Sequence, residues 1–176
     1  METYAAFVRQ NPLLTAFIQF AVLGTIGEML SFPIKGKPLK HMGGPVEILL
    51  KIIAWGILGI VIKFGFAGMK GFTGILMHLN YIPYFKTGSL GWALSVSVFT
   101  NIFFGPQMMV FHRFEENLIM RQWSFKGIKQ AWFTLIWFWI PAHTLTFMLP
   151  GEYQIGLAAL WSIVLGIILG FTYKAN

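Results

Sequence analysis

Long stretches of this chain carry no formal charge. Residues 11–27, 87–112, 131–151 and 153–173 contain no Asp, Glu, Lys or Arg and are dominated by Leu, Ile, Val, Phe, Met and Trp. A helix rises about 1.5 Å per residue, so about 20 apolar residues cross the hydrocarbon core of a bilayer. The pattern predicts an all-α, polytopic transmembrane helix bundle of about five spans, at about 12–32, 45–69, 88–111, 130–150 and 154–173. Pro12 suits the first turn of the first span, and Pro33 stops it. The second span is the weakest, because only residues 52–62 lie uncharged between Lys51 and Lys63. Both lysines can snorkel to opposite interfaces, and a re-entrant segment is the alternative. Phe72, Ile75, Leu76 and Leu79 then follow i, i+3, i+4, i+7 spacing before Pro83, which predicts an interfacial helix at the headgroup level.

Composition supports a single membrane domain covering residues 1–176. Hydrophobic residues make up 56%, aromatic residues 17% and charged residues 11% of the chain, with a mean hydropathy of +0.68. A soluble domain carries about 25% charged residues. The net charge of +7 does not point to nucleic acid, because the basic residues fall in the connections, where anionic lipid headgroups meet them. There is no cysteine, hence no disulfide framework. The first apolar run begins after Asn11-Pro12 with no small-residue cleavage site behind it, which argues against a cleaved signal peptide. With five spans, Lys35, Lys37, Lys40, Lys51, Arg113, Arg121, Lys126, Lys129 and Lys174 share one side, and Arg9, Lys63, Lys70 and Lys86 the other. The richer side is expected to be cytoplasmic, placing the N-terminus out and the C-terminus in.

Function is sought in the polar residues that the apolar runs tolerate. Glu28 sits toward the inner end of the first span, where a carboxylate needs a partner, a proton or water. It reads either as a proton or cation site or as an interfacial residue paired with a loop lysine such as Lys35. His143 lies after Pro141 on a stripe with Trp139, Thr146 and Phe147, and reads as a pore wall or as interhelical glue. Gly105-Pro106 at mid-span invites a kink, as does Pro141, with Asn101 and Gln107 placed to satisfy the freed groups or line a cavity. Gly56, Gly59, Gly65 and Gly68, continued by Gly71 and Gly74, read as close helix packing, as do Ser162, Gly166 and Gly170. Trp92, Trp123 and Trp132 lie near span ends, as interfacial anchors do. Arg113, Glu115, Glu116 and Arg121 read as a solvated, self-paired face. No group of ligands at metal spacing stands out, and no cofactor is implied.

Several local patterns converge on one family. Trp137-Phe-Trp-Ile-Pro141-Ala-His-Thr-Leu-Thr-Phe147-Met-Leu-Pro150-Gly-Glu-Tyr153-Gln, followed by Trp161, resembles the signature of the Mpv-seventeen/22-kDa peroxisomal membrane protein family. Tyr4, Asn11-Pro12 and Gly24-x-x-Gly27-Glu28 resemble its start, and Phe104-Gly105-Pro106 leading to His112-Arg113-Phe114 resembles its middle. The likeness covers more than half of the chain. Gln154 stands where the family usually has Arg, and the spacings around Gly105-Pro106 differ, which suits a divergent relative, a prokaryotic one included. The resemblance implies a small integral membrane protein associated with small-solute homeostasis. It would reside in a mitochondrial inner or peroxisomal membrane, or in the plasma membrane of a prokaryote.

Three functions follow as expectations. The first is a channel or transporter-like pore for a small solute or ion, lined by Glu28, Asn101, Gln107, His143 and Thr146. The second is a non-catalytic scaffold or assembly factor in which those residues hold helices together, with a homo-oligomer as one form. The third, an intramembrane enzyme, requires Glu28 and His143 to converge within hydrogen-bond reach.

Overall fold

The computed structural model describes residues 2–174, with side chains as far as residue 167. No strand occurs among the described residues. Helix α1 is Glu2–Gln10, α2 Pro12–Ile34 and α3 Pro45–His78, with a short 3₁₀ turn at Leu39–Met42 before α3. Helix α4 (Leu90–Phe99) runs through a π-helical segment, Thr100–Phe104, directly into α5 (Gly105–Met120). Helix α6 (Ile128–Thr134) does the same through Leu135–Trp139 into α7 (Ile140–Met148), and α8 is Gly151–Lys174. Five rods result: α2, α3, α4–α5, α6–α7 and α8.

Among the described residues three helices are long and apolar enough to cross a membrane: Pro12–Ile34, Pro45–His78 and Leu90–Met120, with mean hydropathies of 1.7, 2.1 and 1.4. Their outward faces are apolar too. Leu14, Ile18, Val22 and Ile26 repeat every fourth residue along α2 and are all exposed. Such a stripe is unfavourable in water and at home in lipid.

The expected interfacial helix does not form. Phe72, Ile75 and Leu76 belong to α3, which continues unbroken from Pro45 through 34 residues. No proline interrupts 46–82, so nothing stops the ladder before Asn80. There Asn80 adopts a left-handed φ of 57°. The Tyr81 amide donates to the Leu76 carbonyl and the Asn80 amide to that of Met77, a Schellman stop. At about 1.5 Å per residue α3 is about 51 Å long, well beyond a hydrocarbon core of about 30 Å. A continuous helix also rules out the re-entrant alternative for 45–69. The α4–α5 rod likewise runs past 111 to Met120, so Arg113, Glu115 and Glu116 lie on a helix rather than in a connection.

Close packing of α2 on α3 and on α8 holds the bundle. Helices α2 and α3 are antiparallel, and a Cβ at Gly59 would sit 2.4 Å from the Ala16 carbonyl oxygen. One at Gly56 would overlap the Phe17 ring, and one at Gly65 the Phe104 ring. Gly166 lies beside the Gly27 carbonyl, 3.5 Å from where its Cβ would be. Gly68 departs from the expected packing role, as do Gly71 and Gly74: nothing lies within 4 Å of their Cβ positions. The part of α3 that carries them extends beyond α2. The surroundings of Gly170 lie outside the described residues. The main core brings together Ala16, Phe20, Phe66, Trp92, Val96, Phe147 and Ala158 from five helices. Trp92 is therefore a core residue rather than an interfacial anchor. Trp123 and Trp132 are exposed near the ends of the rods.

The same substitution is expected to act with opposite sign at two glycines. Gly59→Ala presses a methyl into a backbone oxygen and should destabilise by about 1–3 kcal/mol. Gly68→Ala meets nothing and should be neutral or stabilise by up to about 1 kcal/mol through helix propensity. Melting temperatures of the two variants in detergent check this.

Candidate functional site

Two proline-broken rods face one another at the centre of the molecule. Proline has no amide hydrogen, so Pro106 and Pro141 each remove one rung of a helix ladder. In both cases the preceding residue donates five residues back, Gly105 to the Thr100 carbonyl and Ile140 to that of Leu135. Each π-helical segment thus ends with a single residue between it and its proline, and such bulges are frequent at functional sites. The kinks expected at Pro106 and Pro141 take this form.

Polar side chains gather where the ladders are disturbed. The Ile140 carbonyl accepts from Ser97 Oγ at 2.7 Å and from Thr144 Oγ1 at 2.7 Å. Asn101, only 3% exposed, donates from Nδ2 to the Ser97 carbonyl at 2.8 Å and to His143 Nδ1 at 3.2 Å. A carbonyl can only accept, so the Asn101 amide nitrogen must face it. The neighbouring imidazole nitrogen then receives a donor, which leaves the proton of a neutral His143 on Nε2. The His143 ring is framed by Phe66, Trp139 and Phe147, at centroid separations of 5.2, 4.9 and 6.1 Å.

These residues border a chamber of about 120 Å³. Its walls are Phe20 from α2; Trp55, Leu58, Ile62 and Phe66 from α3; Thr100, Asn101, Phe104, Gly105, Met108, Met109 and His112 from the α4–α5 rod; Leu135, Trp139 and His143 from the α6–α7 rod; and Ala158 and Ser162 from α8. All five rods contribute. The lining is chiefly aromatic and aliphatic. Asn101 Oδ1 and Trp139 Nε1 are buried and have no hydrogen-bond partner among the described residues.

A charged cluster adjoins the chamber toward the α2 C-terminal end. Glu28 accepts from Lys51 Nζ on one oxygen and from Trp55 Nε1 at 2.9 Å on the other. The partner of Glu28 is therefore Lys51 rather than the expected Lys35, and Lys51 is 4% exposed instead of snorkelling to an interface. Lys35 sits just past the end of α2. Burial pushes its pKa down, with Lys37 adding to the effect and Glu116 and Glu28 opposing it. Trp55 lies against His112, with ring centroids 4.5 Å apart and the planes tilted by 45°. His112 Nδ1 lies 3.9 Å from Glu115 Oε2, and neither atom makes a hydrogen bond. Glu115 is thus turned inward, contrary to the solvated face expected for it. Arg113 and Glu116 do pair with each other, at 2.7 Å. Trp55 and His112 belong to both the chamber and the cluster.

Of the expected lining residues, Asn101 and His143 come together on the chamber. Glu28 does not reach it and lies behind Trp55. Gln107 points outward, bonded through Nε2 to the Phe103 carbonyl at 2.9 Å. It borders an apolar surface hollow with Pro106, Val110, Phe111, Phe114 and Trp132. Thr146 is fully buried, donating to the Ala142 carbonyl and accepting from Trp161 Nε1 at 3.1 Å. Ser162, expected to pack helices, is a chamber wall. Sequence reasoning missed Trp55 and His112. A signal was present for the first, since Lys51 and Trp55 are four residues apart and share one helix face.

The opposite end of the bundle is polar as well. Arg9 pairs with Glu152 at 2.6 Å, and Gln19 donates to the Tyr4 hydroxyl at 2.8 Å. Lys70 donates to Gln154 Oε1 at 3.0 Å. No family model, no curated protein and no solved structure matches the chain. What it does must be read from its own residues.

Lys51→Met should strip Glu28 of its cationic partner and destabilise by about 3 kcal/mol, the usual result of leaving one charge of a buried pair alone. Adding Glu28→Gln should restore most of that loss. A double-mutant cycle on melting temperature measures the recovery.

Proposed function

We propose that this chain is a channel or transporter-like membrane protein that passes a small solute through the chamber between its five rods. The observation that carries the reading is the chamber itself, bordered by all five rods and presenting the Asn101–His143 pair within a chiefly apolar wall. Membrane-embedded polar groups facing a cavity mark solute paths more often than lipid-facing surface. Proline-broken helices with irregular backbone are tolerated at membrane depth where they line such a cavity. On this reading all five rods cross the bilayer, and the Lys- and Arg-rich end is cytoplasmic, where Lys126 and Lys129 meet anionic headgroups. The resemblance to the Mpv-seventeen family points the same way.

A scaffold role is the second reading, favoured by one group of contacts. Thr146–Trp161 and Ser97–Ile140 spend their polar groups joining rods. In a scaffold Asn101–His143 would serve the same purpose.

Flux through proteoliposomes separates the two. Wild-type protein should pass small uncharged solutes above the empty-liposome rate. Asn101→Leu and His143→Leu should lower that rate at least several-fold, and Gln107→Leu, which changes an outward residue, should leave it unchanged. No flux, with melting temperature falling for the Asn101 and His143 variants, would favour the scaffold.

A further inference from the structure

The chamber has a chemistry specific enough to name what it holds. It is bounded by aromatic rings, with Phe20, Phe66, Phe104 and Trp139 among them. Among the described residues no carboxylate, lysine or arginine reaches it. A hydrated ion would have to shed water against rings and methyl groups, which is strongly unfavourable without a compensating charge. An uncharged, compact molecule has no such penalty.

Size narrows the class. A dry cavity of about 150 Å³ lined by Leu, Ile and Phe accommodates benzene. The present chamber, about 120 Å³, suits a body no larger than benzene, of at most about six non-hydrogen atoms.

The wall carries two imidazoles, His112 beside Trp55 and His143 beside Asn101, and the second is fixed rather than adaptable. Asn101 Nδ2 occupies His143 Nδ1, so a neutral imidazole carries its proton on Nε2. Among the described residues Nε2 makes no hydrogen bond, and His143 lines the chamber. His143 therefore offers the chamber a hydrogen-bond donor in a set tautomer, held in place by Asn101 and Ser97 from the facing rod. A donor of this kind selects a molecule with an acceptor oxygen.

We propose that the chamber binds an uncharged molecule of about six non-hydrogen atoms bearing a carbonyl-type acceptor, with His143 Nε2–H as the group that recognises the oxygen. The assignment rests on reading the chamber as the solute site of the proposed pore. It goes further in naming the class: small neutral ketones, aldehydes or amides, in preference to ions and to hydrocarbons of equal size.

Binding to the whole protein in detergent tests this without any need for flux. Cyclopentanone and methylenecyclopentane have nearly the same shape and differ in the acceptor oxygen, and cyclopentylammonium adds a charge. Quenching of tryptophan fluorescence and melting-temperature shifts report occupancy, since Trp55 and Trp139 line the chamber. The expected result is that cyclopentanone binds about five- to tenfold tighter than methylenecyclopentane, as one neutral hydrogen bond allows. Cyclopentylammonium should not bind. His143→Phe should abolish the preference for the ketone, and His143→Gln, which keeps a donor nitrogen, should retain part of it. Equal binding of ketone and hydrocarbon by the wild-type protein overturns the proposal even if the variants do not fold. So does binding of the ammonium, a preference that survives in His143→Phe, or no binding of any probe. Selective binding in a protein that passes no solute would leave the ligand class standing and remove the pore. Solute flux without that selectivity would do the reverse.

Discussion

A backbone carbonyl deprived of its amide donor is costly in an apolar surrounding, and the centre of this molecule is arranged around that constraint. Pro106 and Pro141 remove one rung each from neighbouring rods. Both rods answer with a wider π turn just before the proline, and both recruit side-chain partners for nearby carbonyls. Ser97 and Thr144 reach the Ile140 carbonyl, and Gln107 reaches that of Phe103. The wider turns carry much of the chamber wall. Thr100, Asn101, Phe104, Leu135 and Trp139 all lie on the two π-helical segments. The chamber is thus tied to the way the broken ladders are repaired, and a helix made regular at either proline would alter its wall.

Electrostatics divides the molecule into zones. One end holds Glu28, Lys51, His112, Arg113, Glu115 and Glu116, and the other holds Arg9, Lys70, Glu152 and Gln154. Between them the chamber is uncharged. Glu28 is stabilised by a cation and an indole donor together, which offsets the penalty of holding a carboxylate inside a bundle. Lys51 alone could neutralise it, but Trp55 also fixes the orientation of the carboxylate, since each oxygen has its own donor.

Much of the helical framework was legible because proline and glycine punctuate it. Pro12, Pro45 and Gly151 stand at the first positions of α2, α3 and α8, each near an expected boundary. Helix α3 runs on where the amphipathic spacing after Lys70 suggests a separate element, because no breaker stands between them. Asn101, His143 and Glu28 were legible as polar residues inside apolar runs. Their partners were not. Asn101 and His143 are 42 residues apart, and nothing in local spacing pairs them. Lys51 looked like the end of a span because a lysine flanking an apolar run usually snorkels. It is drawn inward by a carboxylate 23 positions earlier. Gln107 and Thr146 were chosen by the same logic as Asn101, yet face outward and into a helix contact. The two π turns rotate the residues beyond them by an amount that a regular helical wheel does not include. Gly59 and Gly68 show the same limit, being alike in sequence but separated by whether α2 lies opposite.

The charged cluster and the chamber are mechanically joined, because Trp55 is a wall of both. Its indole nitrogen is held by Glu28, its ring lies against His112, and the ring edge fills the space over Gly24 that a Cβ would need. Trp55 therefore cannot swing away from the chamber without giving up the Glu28 hydrogen bond and the His112 ring contact together. Gly24 is what allows the ring to lie so close to α2, since a Cβ there would be 2.4 Å from Trp55 Cε3. The Gly24-x-x-Gly27-Glu28 sequence thus does two things on one helix face. Gly24 seats the indole, and Glu28 fastens it, one turn apart along α2.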